Sequence, residues 1–151
     1  MGELAKKISE DLKAAIKARD TIRISTLRMV TASIQNIAIE KRIKDLELDD
    51  AEVIKIISGQ VKQHIDSIES FKKGSRQDLI EKETKELEIL KTYLPQQLSE
   101  KELEELVKKI IVELGATSRS DFGKVMKVVM QELKGRGDGK TVSALVQKLL
   151  S

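Results

Sequence analysis

The sequence predicts an all-α protein in two parts. A four-helix N-terminal domain of long helices covers residues 1–94, a small three-helix bundle covers 98–151, and Pro95 marks the boundary. Three observations predict it. Apolar residues recur at spacings of three and four almost throughout, the period of a helix with one buried face. No alternating apolar–polar run persists, as a half-buried strand would need. Proline occurs once and glycine eight times in 151 residues, so little interrupts regular structure.

Leu4, Ile8, Leu12 and Ile16 mark the first helix. Asp20 is placed to cap the second, which carries Ile24, Leu27 and Ile34 and is expected to run to about Lys44. Leu46 to Leu48 is read as a connection. Asp49 or Asp50 starts the third helix, with Ile54, Ile57, Val61, Ile65 and Ile68 on its inner face. Gly74 should follow its last turn, and Ser75 should cap a fourth helix with Leu79, Leu87, Leu90 and Leu94 inward. Pro95 lacks an amide donor and pushes Leu94 out of helical geometry.

Beyond it, Ser99 and Glu102 have the spacing of a capping box, in which hydroxyl and carboxylate each satisfy a free backbone N–H. That fifth helix carries Leu103, Leu106, Ile110 and Leu114 and ends at Gly115. Ser118 or Ser120 opens the sixth, with Phe122, Val125, Val129 and Leu133. Asp138 caps the seventh, with Val142, Leu145 and Leu149.

Composition narrows the function. Apolar residues make up 40% of the chain and charged residues 35%, with two Phe, one Tyr and no Trp, so the core is aliphatic and stacking on bases is not expected. Without cysteine there is no disulfide, thiolate metal site or cysteine nucleophile. No apolar run reaches the roughly 18–20 residues of a membrane span, and residues 1–7 lack a signal-peptide core. The expectation is a cytoplasmic protein with no membrane role. The net charge of +3 is uneven: residues 115–151 hold seven Lys and Arg against three Asp and Glu. A basic end attracts polyanions.

Catalytic material is sparse. His64, the only histidine, is read as solvated on an exposed face of the third helix. Carboxylates such as Glu81, Glu83, Glu86 and Glu88 read as a solvated, charge-paired helix surface. No catalytic residue, metal site or cofactor is expected. Asp121-Phe122-Gly123 spells the kinase magnesium motif without its context. Gly139-Lys140-Thr141 spells the end of a P-loop, but Lys134 stands where the loop's first glycine belongs. Arg136-Gly137-Asp138 is an adhesion tripeptide without an extracellular setting.

The joint from Lys134 to Lys140 is the densest signal. Gly135, Gly137 and Gly139 alternate with Lys134, Arg136, Asp138 and Lys140, and Lys124 and Lys127 precede them. Two readings fit. Gly135 could take a left-handed C′ conformation and Asp138 cap the next helix, a structural corner. Alternatively, the free N–H groups at the helix start, with Lys134, Arg136 and Lys140, could hold a phosphate, and Gly139 would let it approach. Arg23 and Arg28 on the second helix offer either intramolecular pairing or further phosphate contacts.

Several stretches resemble the GatB/YqeY family of small bacterial proteins: Arg23-Ile24-Ser25-Thr26-Leu27-Arg28, Phe71 to Leu79, Tyr93-Leu94-Pro95-Gln96-Gln97-Leu98, and Gly123-Lys124-Val125-Met126-Lys127 followed by Gly135 to Lys140. The resemblance covers residues 2–150 and lies closest to the YqeY-like branch. It implies two all-α domains, the second similar to the tail of the B subunit of Asp/Glu-tRNA amidotransferases, a helical appendage that contacts tRNA. It therefore implies a non-catalytic tRNA-binding accessory module, with Lys124, Lys127, Lys134, Arg136, Lys140, Arg23 and Arg28 as candidate phosphate contacts. Gly135, Gly137, Asp138, Gly139 and Pro95 would shape the joint. Expected partners are tRNA and an amidotransferase or other tRNA enzyme, not DNA. Two alternatives stand beside this: a helical module docking on a tRNA-modifying enzyme, and a glutamine-dependent carbon–nitrogen ligase, which rests on the family label alone.

Overall fold

A computed structural model describes residues 2–44 and 47–150. Its described residues form seven α-helices and no strand. They are α1 (Glu3–Ala18), α2 (Thr21–Glu40), α3 (Asp50–Lys73), α4 (Gln77–Lys91), α5 (Glu100–Leu114), α6 (Phe122–Leu133) and α7 (Gly139–Leu150), with a 3₁₀ turn at Arg119–Asp121. The chain divides into two compact units, Met1–Leu94 and Pro95–Ser151.

In the first unit α1 packs chiefly on α2, and α3 chiefly on α4. Ile8, Leu27, Val30, Leu48, Val53, Ile57 and Leu90 fill its core. Asp20 caps α2 by accepting from the Arg23 amide at 3.1 Å. Asp49 does the same for α3 through Glu52 at 2.9 Å. Asp50 reaches back to the other end of the unit, accepting from the Leu4 amide at 2.9 Å and so holding the start of α1 against the start of α3.

The boundaries differ from expectation at three places. Helix α2 stops at Glu40, short of Lys44. Arg42 turns left-handed at φ 55°, which lets the Ile43 amide reach the Ala38 carbonyl at 2.9 Å and closes the helix. Leu46, part of the expected connection, lies outside the described residues. Ser75 does not cap α4. Gly74 follows the last turn of α3 as expected, but Ser75 itself turns left-handed at φ 54°, and Arg76 precedes α4 without a capping side chain. Ser118 opens only the 3₁₀ turn, and α6 begins at Phe122.

The second unit is a three-helix bundle in which α5, α6 and α7 each touch the other two. Leu103, Val107, Ile110, Val125, Val129, Leu133, Val142, Val146 and Leu150 form its aliphatic core. The Ser99–Glu102 capping box is complete, and Gly115 ends α5 at φ 65°.

Tyr93, the last core residue of the first unit, donates its hydroxyl to Asp11 at 2.5 Å and carries Lys7 over its ring at 5.6 Å from the centroid. Burial, and then the Asp11 carboxylate, raise the phenol's pKa above its ordinary value. The protonated phenol is therefore the folded form. Its contribution is fully present below the unfolded value of about 10 and is lost as pH rises beyond it. Tyr93→Phe should cost about 1 kcal/mol at neutral pH and flatten the fall in stability between pH 10 and 11, measured by thermal melting against wild type.

Candidate functional site

The joint between α6 and α7 is built as a capped corner. Lys134 and Gly135 both adopt positive φ, 50° and 82°, which ends α6 abruptly. Arg136 then folds back on that helix. Its Nε donates to the Leu133 carbonyl and its Nη2 to the Glu132 carbonyl, both at 2.9 Å. A cation on the last carbonyls of a helix also meets the negative end of its dipole. On the other side Asp138 receives the Lys140 amide at 3.2 Å and the Thr141 hydroxyl at 3.1 Å. The positive end of α7 thus faces a carboxylate supplied by the chain itself.

Two contacts clasp this corner from the segment after Pro95. Gln97 Nε2 donates to the Gly135 carbonyl at 2.9 Å, and the Leu98 amide to the Arg136 carbonyl at 2.8 Å. The glycines then separate by role. A Cβ on Gly137 would lie 2.9 Å from Leu103 Cδ2 and 3.2 Å from Leu133 Cδ2, so glycine there is a packing requirement. A Cβ on Gly139 would meet only Met130 Cε, at an ordinary 3.7 Å. Gly137→Ala should therefore cost about 1 kcal/mol as the leucine methyls shift. Gly139→Ala, in the first turn of α7, should stabilise by a few tenths of a kcal/mol. Paired thermal melts of the two variants check both signs.

What remains for an outside partner is the lysines. Lys124 and Lys127 are exposed on α6, with Gln131 between them in angle, all three within an arc of about 60°. Lys134, exposed one turn further, extends the line to about 15 Å. None of the three lysines has an ion-pair partner among the described residues. Lys140 is also exposed and has an interaction within the protein. On α2, Arg23 leans on Asp20 with Nε 3.6 Å from Oδ2, while Arg28 is exposed.

Sequence reasoning missed a polar cluster in the first unit. His64, expected on a solvated face, is buried, as are Gln60 and Glu86. Its Nδ1 lies 2.8 Å from the Gln60 carbonyl one turn earlier. Its Nε2 lies 3.0 Å from Glu86 Oε2 and 3.6 Å from Glu83 Oε2 on α4. A signal for the burial existed: Val53, Ile56, Ile57, Gln60, Val61 and His64 form one stripe at helical spacing. The period was legible, but its last polar members break the apolar pattern by which a core face is recognised. Glu83 and Glu86, three apart on α4, had no local signal linking them to a histidine on another helix.

None of the described helices is long and apolar enough to cross a membrane. Residues 5–150 match the family described as Yqey-like protein. Among curated proteins the chain is similar to altered inheritance of mitochondria protein 41, mitochondrial, of Pyrenophora tritici-repentis, with 34% identity over 95% of this chain and 79% of that protein. The protein of the same name from Lachancea thermotolerans is 37% identical over 75% of this chain and 60% of its own length. That from Kluyveromyces lactis is 33% identical over 89% and 69%. These names correct two expectations. The relatives are fungal, so the resemblance is not confined to bacterial proteins, and they are named mitochondrial proteins, which overturns the cytoplasmic reading.

Proposed function

Since the chain belongs to the Yqey-like protein family, we propose that it is a non-catalytic, tRNA-binding accessory module whose second unit meets the RNA backbone along α6. The observation that carries this reading is the exposed line of Lys124, Lys127 and Lys134, without carboxylate partners among the described residues, on the basic last quarter of the chain. Lysines at this spacing read charge and shape, not base identity. Arg136 and Asp138 have structural duties at the corner, so the anion contact moves from the glycine loop to the helix face. The resemblance of this unit to the amidotransferase B-subunit tail supports the same choice of partner.

The test is tRNA affinity against salt for wild type and for Lys124/Lys127/Lys134→Ala, using cytosolic and mitochondrial tRNA because the relatives are named mitochondrial. Equal affinities with a flat salt dependence would sink the reading. A protein-docking role has one specific observation in its favour: Val112 on α5 is 80% exposed. Under that reading a bound tRNA enzyme would stay with the chain after RNase treatment.

A further inference from the structure

We propose that His64, Glu83 and Glu86 form a binding site for a divalent first-row transition cation of the zinc type, held between α3 and α4. The argument begins with the imidazole. Nδ1 faces the Gln60 carbonyl at 2.8 Å, an acceptor, so that nitrogen carries a proton. In the neutral ring Nε2 then presents a lone pair, and it points at two carboxylate oxygens, 3.0 and 3.6 Å away. Three acceptors converging on one point need positive charge among them.

A proton on Nε2 would satisfy only part of this. It makes one good hydrogen bond, to Glu86 at 3.0 Å, and leaves the Glu83 oxygen 3.6 Å away with no proton to share. A divalent cation balances both carboxylates. The spacing suits one: two atoms bound tetrahedrally at zinc distances lie about 3.3 Å apart, between the two separations found here. All three ligand atoms lie within 4.8 Å of one another.

The surroundings are those of a ligating histidine. Its second nitrogen donates to a backbone carbonyl, which fixes tautomer and ring orientation. Glu83 and Glu86 are three apart, so one face of α4 presents both oxygens. The side chains of His64 and Glu86 are each 6% exposed, whereas that of Glu83 is 22% exposed. The cation would enter past Glu83, and water would complete its coordination there. A nitrogen ligand selects against calcium and magnesium, which take oxygen.

The full chain, without an affinity tag and stripped with a chelator, is titrated with zinc chloride by calorimetry and thermal melting. Because His64 is the sole histidine, its ring nitrogens are also followed by NMR without ambiguity. Expected are one ion per chain, a rise in melting temperature of about 5 °C at saturation, and a shift confined to Nε2 while Nδ1 keeps its proton. Glu83→Gln, at a partly exposed position that should tolerate it, weakens binding by at least about tenfold, and His64→Asn abolishes it. The proposal is overturned if zinc uptake is absent or unchanged in Glu83→Gln. It is equally overturned if both ring nitrogens stay protonated in excess zinc, which would make the cluster an ion pair only.

Discussion

Glu86→Ala lowers the stability of the metal-free first unit by about 1–3 kcal/mol, the cost of leaving a buried polar group without its hydrogen-bond partner. The carboxylate is 4% exposed as a residue and stands 3.0 Å from His64 Nε2. Its loss leaves a buried imidazole nitrogen without its nearest partner. Glu83→Ala, at a partly solvated position 3.6 Å from the same nitrogen, should cost under about 1 kcal/mol. The double change His64→Leu with Glu86→Leu should recover most of the loss, because apolar replacement of both partners removes the desolvation penalty along with the attraction. Urea unfolding of the three variants measures the contrast. A Glu86→Ala midpoint equal to wild type would show that the pair contributes nothing to folding.

The second large effect concerns RNA. Lys124/Lys127/Lys134→Ala should lower the slope of log affinity against log salt by about 3, one per lost phosphate contact, and weaken tRNA binding at low salt on the order of a hundredfold. These exposed lysines lack ion-pair partners among the described residues, so the melting temperature should hardly move. Arg136→Ala serves as the control. It removes two hydrogen bonds from the end of α6, so it should act on stability by about 1–2 kcal/mol, with a smaller change in the salt slope than the lysine variant shows. An Arg136 effect on affinity as large as the triple change would move the contact back into the glycine corner.

The elements that sequence reasoning located were those whose cause is local. Asp20, Asp49, the Ser99–Glu102 box and Gly115 each act within a turn of their own position, so residue type and spacing suffice. The left-handed turns at Arg42 and Ser75 were missed because glycine is the usual occupant of that conformation, and here the chain places other residues in it. Gly137 is a glycine because of Leu103, 34 positions earlier, and no spacing rule connects them. The same holds for the buried cluster: a histidine on α3 and two glutamates on α4 acquire meaning only once the helices are packed. On the candidate RNA face, the lysines were legible as charge. Their separation from Arg136 was not, since only the folded corner shows which cation is already engaged.

The clasp from Gln97 and Leu98 onto residues 135 and 136 has a consequence for how the chain can be divided. The helical register of the second unit starts at Glu100, but its mechanical start is earlier, because the corner beside the lysines is held in shape by two residues that precede the helix. A fragment opened at Ser99 would keep every helix and lose that fastening, leaving α6 and α7 free to splay at their shared end. One opened at Pro95 would carry its own buckle.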